Sequence, residues 1–287
     1  MPDPARPLAG VRALLLDLDG VIVLAEKPVP GSARAIGELV ARRIPFRIVT
    51  NTSLVSRATL SRWSGRLGAQ IPADHFQSAL SVSASYTARH FPDRPLYVLA
   101  SDDARTEFAG QHLLTDDEAG QPGATAGAVV VGDSPEILNY DTINRAFRLI
   151  RNGATLVAMH KNRWWLTPDG PTIDSGSIVV GLEFAAGVRA ITVGKPSLAF
   201  FQEASAQLSA EVASRGEPRL RRREIAMVGD DLDSDVRAAQ RAGLRGAFVL
   251  TGKHGPAELA AAAARGSSHR LPDLVAPTLA DVVAALD

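Results

Sequence analysis

Leu15-Leu16-Asp17-Leu18-Asp19-Gly20 closes the first apolar run of the chain, residues 11–18, with two carboxylates two positions apart. A short apolar run ending in acids and a glycine reads as a buried strand that delivers polar groups at its carboxyl end. Residues two apart on a strand share a face, so Asp17 and Asp19 address one volume unless the chain turns between them. Adjacent carboxylates repel, and they persist most easily beside a hard cation or with one of them protonated. Taken alone, the stretch also fits an ordinary strand end followed by an Asp-Gly turn.

Working outward, short β-branched or Leu-rich runs at 46–50, 96–100, 128–131, 155–159, 190–193, 224–228 and 246–250 predict further strands. Between them, amphipathic stretches at 32–43, 56–67, 81–90, 139–152, 198–213 and 233–242 predict helices, the first with Ser32 as its N-cap. This alternation is that of an α/β protein with a parallel sheet. The middle group of strands either extends the first sheet or forms its own layer, and the last three resume the style of the first. The Ala-rich run 260–268 is expected to be a surface helix ending at Gly266, and the basic stretch 216–223 a solvated approach to the next strand.

Composition narrows the chemistry. At 287 residues the chain has room for one large domain or two unequal ones, and two is the expectation. With 46% hydrophobic and 22% charged residues, and no apolar run near the ~18 residues of a membrane span, no membrane partner is expected. Residues 1–10 lack the pattern of a secretory signal, so a cytoplasmic location is expected. The 31 basic and 31 acidic residues cancel, which leaves no field for nucleic acid, and any anion must be held by local groups. The absence of cysteine excludes thiolate catalysis, disulfides and Cys-ligated metals.

Three more segments stand at the ends of predicted strands. Thr50-Asn51 follows 46–50, where a helix N-cap by Ser53 or Ser56 is the simpler reading. Val193-Gly194-Lys195-Pro196 resembles the end of a P-loop, but Arg189 and Pro196 stand where that motif needs Gly and Ser or Thr. Thr251-Gly252-Lys253-His254 fails likewise at Ala247, and His254 is read as structural or solvent-facing. Gly229-Asp230-Asp231-Leu232-Asp233-Ser234-Asp235 puts four acids at one strand end. Capping of the next helix accounts for Asp233 and a neighbour but not for Asp230. The spacing lacks the central Gly and distal Glu of an EF-hand, and hard oxygen ligands near phosphate point to Mg²⁺. In open parallel sheets such strand ends converge on one crevice.

In order and spacing, Asp17 to Gly20, Thr50-Asn51, Lys195-Pro196 and Gly229 to Asp235 resemble the four motifs of haloacid dehalogenase (HAD) superfamily phosphatases. The resemblance implies a Rossmann-like parallel-sheet core from 1–78 and 189–287, with an inserted α/β C2-type cap at 79–188 of the NagD-like subclass. Asn144 to Ile150 and His160 to Trp165 are similar to the branch of phospholysine/phosphohistidine/inorganic pyrophosphate phosphatases, which commonly has Ser where this chain has Asp19.

The resemblance also implies roles. Asp17 is the nucleophile, Asp19 the acid and base, and Thr50 and Lys195 hold the phosphate oxygens. Gly20 and Asn51 line the phosphate site, and Mg²⁺ sits on Asp17, Asp19 through its carbonyl, and Asp230. Asp235, with Asp231, orients these groups. His160, Arg163 and Trp164 are expected to meet the small phosphorylated substrate, although packing of Trp164 and Trp165 inside the cap or at a cap-mediated homodimer interface is the simpler reading. Gly132-Asp133 is read as a cap strand exit. Phosphoryl transfer, or non-catalytic sensing of phosphate or Mg²⁺, remain alternatives to hydrolysis.

Overall fold

Ala13–Leu16 (β1) is buried along its whole length, as a central strand of a parallel sheet must be when both faces are covered. The computed structural model that contains it describes residues 7–66, 68–265 and 270–286. After β1 come a small hairpin, Val23–Leu24 (β2) with Lys27–Pro28 (β3), then Phe46–Thr50 (β4) and Phe76–Ser78 (β5). The insert supplies Leu96–Leu99 (β6), Ala128–Val131 (β7) and Thr155–Ala158 (β8), a second hairpin Trp164–Thr167 (β9) with Gly170–Ile173 (β10), and then Ile191–Thr192 (β11). Ile225–Gly229 (β12), Arg245–Val249 (β13) and Leu274–Ala276 (β14) follow.

The core sheet runs β14-β13-β12-β1-β4-β5 and is parallel throughout. The chain leaves β1 toward β4 on one side and returns through β12 on the other, so the strand order reverses at β1, where such sheets bind ligands. The cap forms its own parallel layer, β11-β8-β7-β6. Sequence reasoning had left open whether these strands extend the first sheet, and they do not.

The period-2 alternation of the strands divides the interior. Leu14, Leu16, Ile48 and Val228 face one way and pack on helices Ser32–Ala41 and Leu279–Ala284. Leu15, Val49 and Met227 face the other way, into a cluster that continues through helices Ala79–His90 and Leu198–Ser214 to Val98, Val130 and Val157 of the cap sheet. A fully buried Leu such as Leu14 or Leu15 contributes about 1.5–3 kcal/mol, so this shared cluster binds the two layers firmly. The far face of the cap sheet, Leu99, Val129 and Leu156, is covered by helices Tyr140–Arg151 and Gly176–Ala186.

Several local expectations shift. The strand expected at 190–193 to resume the core instead pairs with β8, because its backbone lies beside that strand and Gly194 N–H donates to Met159 O at 2.8 Å. Ser32 does not cap its helix; it is the first helical residue, and its hydroxyl donates to Ile22 O at 3.1 Å. The segment after His160, for which no strand was expected, forms a hairpin, since Pro168-Asp169 turns Trp164–Thr167 back on Gly170–Ile173. The Ala-rich helix is Pro256–Ala264, and its expected end at Gly266 lies outside the described residues.

Candidate active site

Both sheets aim their carboxyl ends at one cavity of about 540 Å³. Asp17 follows β1, Asn51 follows β4 and Asp230 follows β12; opposite them, Asp133 follows β7, His160 follows β8 and Lys195 follows β11. A ligand there is held between two layers whose relative position the shared apolar cluster fixes.

The core wall is a knot of charge. Lys195 Nζ lies 2.8 Å from Asp17 Oδ1 and 2.7 Å from Asp235 Oδ1, with all three side chains buried. Asp17 Oδ1 also accepts from Leu18 N–H at 2.8 Å, which leaves Oδ2 without a protein donor. Asp17, Asp230 and Asp235 each offer an oxygen within 4.8 Å of the others, a set of hard donors that suits Mg²⁺. Glycines make the crowding feasible, since a Cβ at Gly20 (φ +76°) or Gly252 would run into the Asp230 carboxylate, and one at Gly229 into Asp235.

Burial pushes the Asp17 carboxyl up to about 6, with Asp230 and Asp19 adding and Lys195 opposing, so it is ionised at neutral pH. Asp230 and Asp235 are raised by burial and by neighbouring carboxylates. Lys195 is raised by Asp17 and Asp235 against the opposing effect of its own burial, and stays charged. Three raised carboxylates facing one lysine are short of positive charge, and a divalent cation would supply it.

Positioning comes from the backbone. Asn51 Oδ1 accepts from Lys195 N–H at 2.8 Å and its Nδ2 donates to Lys195 O at 3.0 Å, so the amide clamps the lysine's peptide from both sides. The same Nδ2 donates to Asn162 Oδ1 at 3.2 Å. Thr50 is fully buried; its hydroxyl donates to Thr52 Oγ1 and accepts from Thr52 N–H, both at 3.0 Å. Thr52 in turn donates to Asp19 Oδ2 at 3.4 Å. The Asp19 side chain is open to the cavity, yet the surrounding walls strip enough bulk water to raise its carboxyl, against Lys195 and the Thr52 hydrogen bond.

The cap wall differs. His160 is buried; its Nδ1 accepts from Asn162 N–H at 3.4 Å, and its Nε2 lies 3.3 Å from Ser53 Oγ and 3.8 Å from Asp174 Oδ1. Burial lowers its pKa to about 4, so the ring is neutral. Ser53 Oγ also accepts from Asp133 N–H at 2.7 Å, which ties this wall to the loop after β4. Lys253 Nζ, from the core, sits 4.9 Å over the Trp164 ring and 3.2 Å from Asp231 Oδ2.

Of the residues named from sequence, Asp17, Asp19, Gly20, Asn51, His160, Trp164, Lys195, Asp230 and Asp231 line the cavity. Thr50 and Asp235 stand behind it, in contact with lining residues. Arg163 is exposed and is not among the lining residues. Asp231 proves to be the helix cap, accepting from Asp233 N–H at 2.9 Å and Ser234 N–H at 3.0 Å, while Asp233 pairs with Arg237. His254 is structural: its Nδ1 accepts from Leu232 N–H at 3.1 Å. Sequence reasoning missed Thr52, Lys253, Asn162 and Asp174, and dismissed Asp133. Only Thr52, two residues past the strand end, carried a local signal.

A buried lysine and clustered aspartates at the carboxyl ends of a parallel sheet, roofed by an α/β insert, define a hydrolase of the phosphoryl-handling kind. Family models described as haloacid dehalogenase-like hydrolase and HAD-hydrolase-like match residues 14–113 and 192–282. Haloacid dehalogenase-like hydrolase domain-containing protein 2 of Bos taurus is 34% identical over 248 residues, 86% of this chain and 87% of its own. Phospholysine phosphohistidine inorganic pyrophosphate phosphatase of Homo sapiens is 32% identical over 259 residues, 88% of each chain. A solved p-nitrophenyl phosphatase from Archaeoglobus fulgidus superposes with a TM-score of 0.81 at 27% identity, over 96% of this chain and 99% of its own. The chain belongs to the HAD-like hydrolase family, and the relatives it matches include phosphatases.

Proposed function

We propose that the protein is a Mg²⁺-dependent phosphatase that hydrolyses small phosphorylated metabolites through an aspartyl-phosphate on Asp17. The observation that carries this reading is the state of Asp17: ionised, steered through Oδ1 by Leu18 N–H and Lys195, and with Oδ2 turned free beside two further carboxylates. Asp17 Oδ2 attacks phosphorus as the bond to the leaving oxygen breaks, and hydrolysis of the acyl phosphate restores the carboxylate. Asp19, its proton affinity raised by the cavity, protonates the leaving oxygen and then takes a proton from the attacking water. Lys195 neutralises the non-bridging oxygens, while Asn51 and Asp235 keep its peptide and ammonium in place. Thr50 acts through Thr52, which holds Asp19.

Asp17, Asp230 and the Asp19 carbonyl would hold Mg²⁺, with Asp235 beside them; bound there, it neutralises the carboxylates and the phosphate charge. The insert, expected at 79–188 and extended by β11 to Thr192, selects the substrate, and the family's pyrophosphate and P–N substrates are candidates alongside esters. We place the protein in the cytoplasm without nucleic-acid or membrane partners; no helix among the described residues is long and apolar enough to cross a membrane.

The central test is hydrolysis of p-nitrophenyl phosphate with Mg²⁺ by the parent and by Asp17→Asn, which should lose about 10⁴-fold or more while keeping its circular dichroism spectrum and Tm. A variant that still turned over at the parental rate would remove Asp17 as nucleophile. Steady turnover also separates this reading from a non-catalytic sensor.

We also propose a homodimer through the cap. Val180 and Phe184, 51% and 90% exposed, lie one turn apart on helix Gly176–Ala186, an apolar stripe a monomer has little reason to show. Sedimentation equilibrium should give twice the chain mass for the parent and one chain mass for Phe184→Glu, and a monomeric parent defeats the proposal.

A further inference from the structure

We infer that Asp133, Asp174 and His160 form a leaving-group subsite in the cap wall that selects phosphate esters whose alcohol half carries a protonated amine. The inference rests on the phosphatase reading above and names a substrate class for it.

Asp133, Asp174 and His160 are 8%, 5% and 2% exposed and all line the cavity. Among the described residues no donor reaches the Asp133 carboxylate, whose surroundings are Asp174, which repels it, and the neutral His160. Asp174 Oδ1 accepts from Ser175 N–H at 2.7 Å and Ser175 Oγ at 3.4 Å, both neutral donors. A buried carboxylate left without a donor is costly, and two that face each other without a cation more so.

Lys195 is on Asp17 and Asp235, and Lys161 is 2.8 Å from Glu183. Lys253, 3.2 Å from Asp231, also acts through space on Asp174, which Asn162 supports as well, but among the described residues no cation acts on Asp133. The positive charge missing at Asp133 must therefore arrive with a ligand. A hydroxyl would give Asp133 a hydrogen bond but leave the like-charge repulsion in place; an ammonium offsets both.

The position fits a leaving group. Asp19, the proposed proton donor to the departing oxygen, lines the same cavity as Asp133 and Asp174, so an alcohol leaving past Asp19 departs into the space these acids line. The phosphate end is set at Asp17 and Lys195, and about 540 Å³ admits a phosphate with a short chain reaching to the cap acids.

The test compares kcat/KM of the intact Mg²⁺-loaded enzyme at pH 7.5 on O-phosphoethanolamine against ethyl phosphate, and on 5-aminopentyl phosphate against pentyl phosphate. The amine ester of at least one pair should be preferred about tenfold or more. Asp133→Asn should bring that ratio within about twofold of unity, whatever happens to the absolute rates. Asp133 accepts no hydrogen bond from the protein, so this isosteric change spares the fold; Asp174→Asn, which alters the Ser175 contacts, is the second variant. A parent without amine preference in either pair, or a preference unchanged in both variants, overturns the subsite. p-Nitrophenyl phosphate is the control arm: if the parent does not hydrolyse it, the phosphatase reading itself falls and the subsite with it, whereas its hydrolysis without amine preference removes the subsite alone.

Discussion

Asp17 and Asp230 at strand ends, with Asp235 in the helix after β12, are buried carboxylates on the core side, as Asp133 and Asp174 are past strands on the cap side, yet only the first group surrounds a lysine. The core wall keeps its own counter-charge and its donors point inward at fixed atoms, as transition-state stabilisation requires. The cap wall keeps an imidazole that burial holds neutral, and its Asp133 lacks a cation. One wall is finished before substrate arrives and the other is completed by it. Chemistry common to many substrates belongs on the first, and discrimination on the second.

The sharpest way to break this division is at Asp19, which belongs to the core wall but is raised partly by Asp174 of the cap. Asp19→Asn should lose about 10²–10⁴-fold on alkyl phosphates, whose leaving oxygens need a proton. The loss should be far smaller in the burst phase with p-nitrophenyl phosphate, whose phenolate leaves unaided. Equal losses with both substrates would show that Asp19 positions the phosphate instead of protonating the leaving group.

Cation removal asks whether the core wall is as complete as its lysine suggests. Chelation with EDTA should abolish turnover and restoring Mg²⁺ should recover it. At a Mg²⁺ concentration 100 times its Kd the folded state should gain about 2.7 kcal/mol, read as a rise in Tm. The gain should shrink on acidification from pH 7 through 6, where Asp230 and then Asp17 take up protons and compete with the ion. A Tm indifferent to Mg²⁺ at pH 8 would mean the three carboxylates hold no ion and that Lys195 alone balances them.

The core wall was legible in the sequence because each part is written locally: an apolar run sets the strand, and the next one or two residues are placed by it. Asp17, Asn51, Lys195 and Asp230 all follow that rule. Lys195 followed it from an unexpected strand, since β11 joins the cap sheet; two exposed-to-intermediate residues carry no pattern that says which neighbour they pair with. The cap wall escaped for a different reason. Asp133 looks like a strand exit and Asp174 like the end of a hairpin, and their meeting over His160 depends on tertiary placement of two loops 41 positions apart. Lys253 was judged only as a failed P-loop, because its contact with Trp164 bridges core and cap. Thr50 ends β4 as expected, fully buried and bonded to Thr52, and its proposed route to the cavity runs through that residue.

The smallest predicted effect separates the walls most cleanly, because it concerns stability alone. Burial raises the Asp133 carboxyl from 3.8 to about 6, so the folded protein binds that proton more tightly than the unfolded chain does. For an acid shifted upward, folding carries no penalty below pH 4, loses stability as pH rises from 4 to 6, and bears the full cost above 6. Two pH units set a ceiling of about 3 kcal/mol, and water in the open cavity lowers it, so Asp133→Asn should stabilise the protein by about 1–2 kcal/mol at pH 8 and by nothing at pH 4. Urea unfolding at the two pH values measures the difference. The same change at Asp17 relieves a similarly raised carboxylate but also removes a partner of Lys195, so its relief at pH 8 is set against the lost ion pair and it should not stabilise the protein as Asp133→Asn does. If Asp133→Asn destabilised equally at both pH values, its carboxylate would have a partner in the fold, and the contrast between a self-balanced wall and one awaiting its cation would be lost.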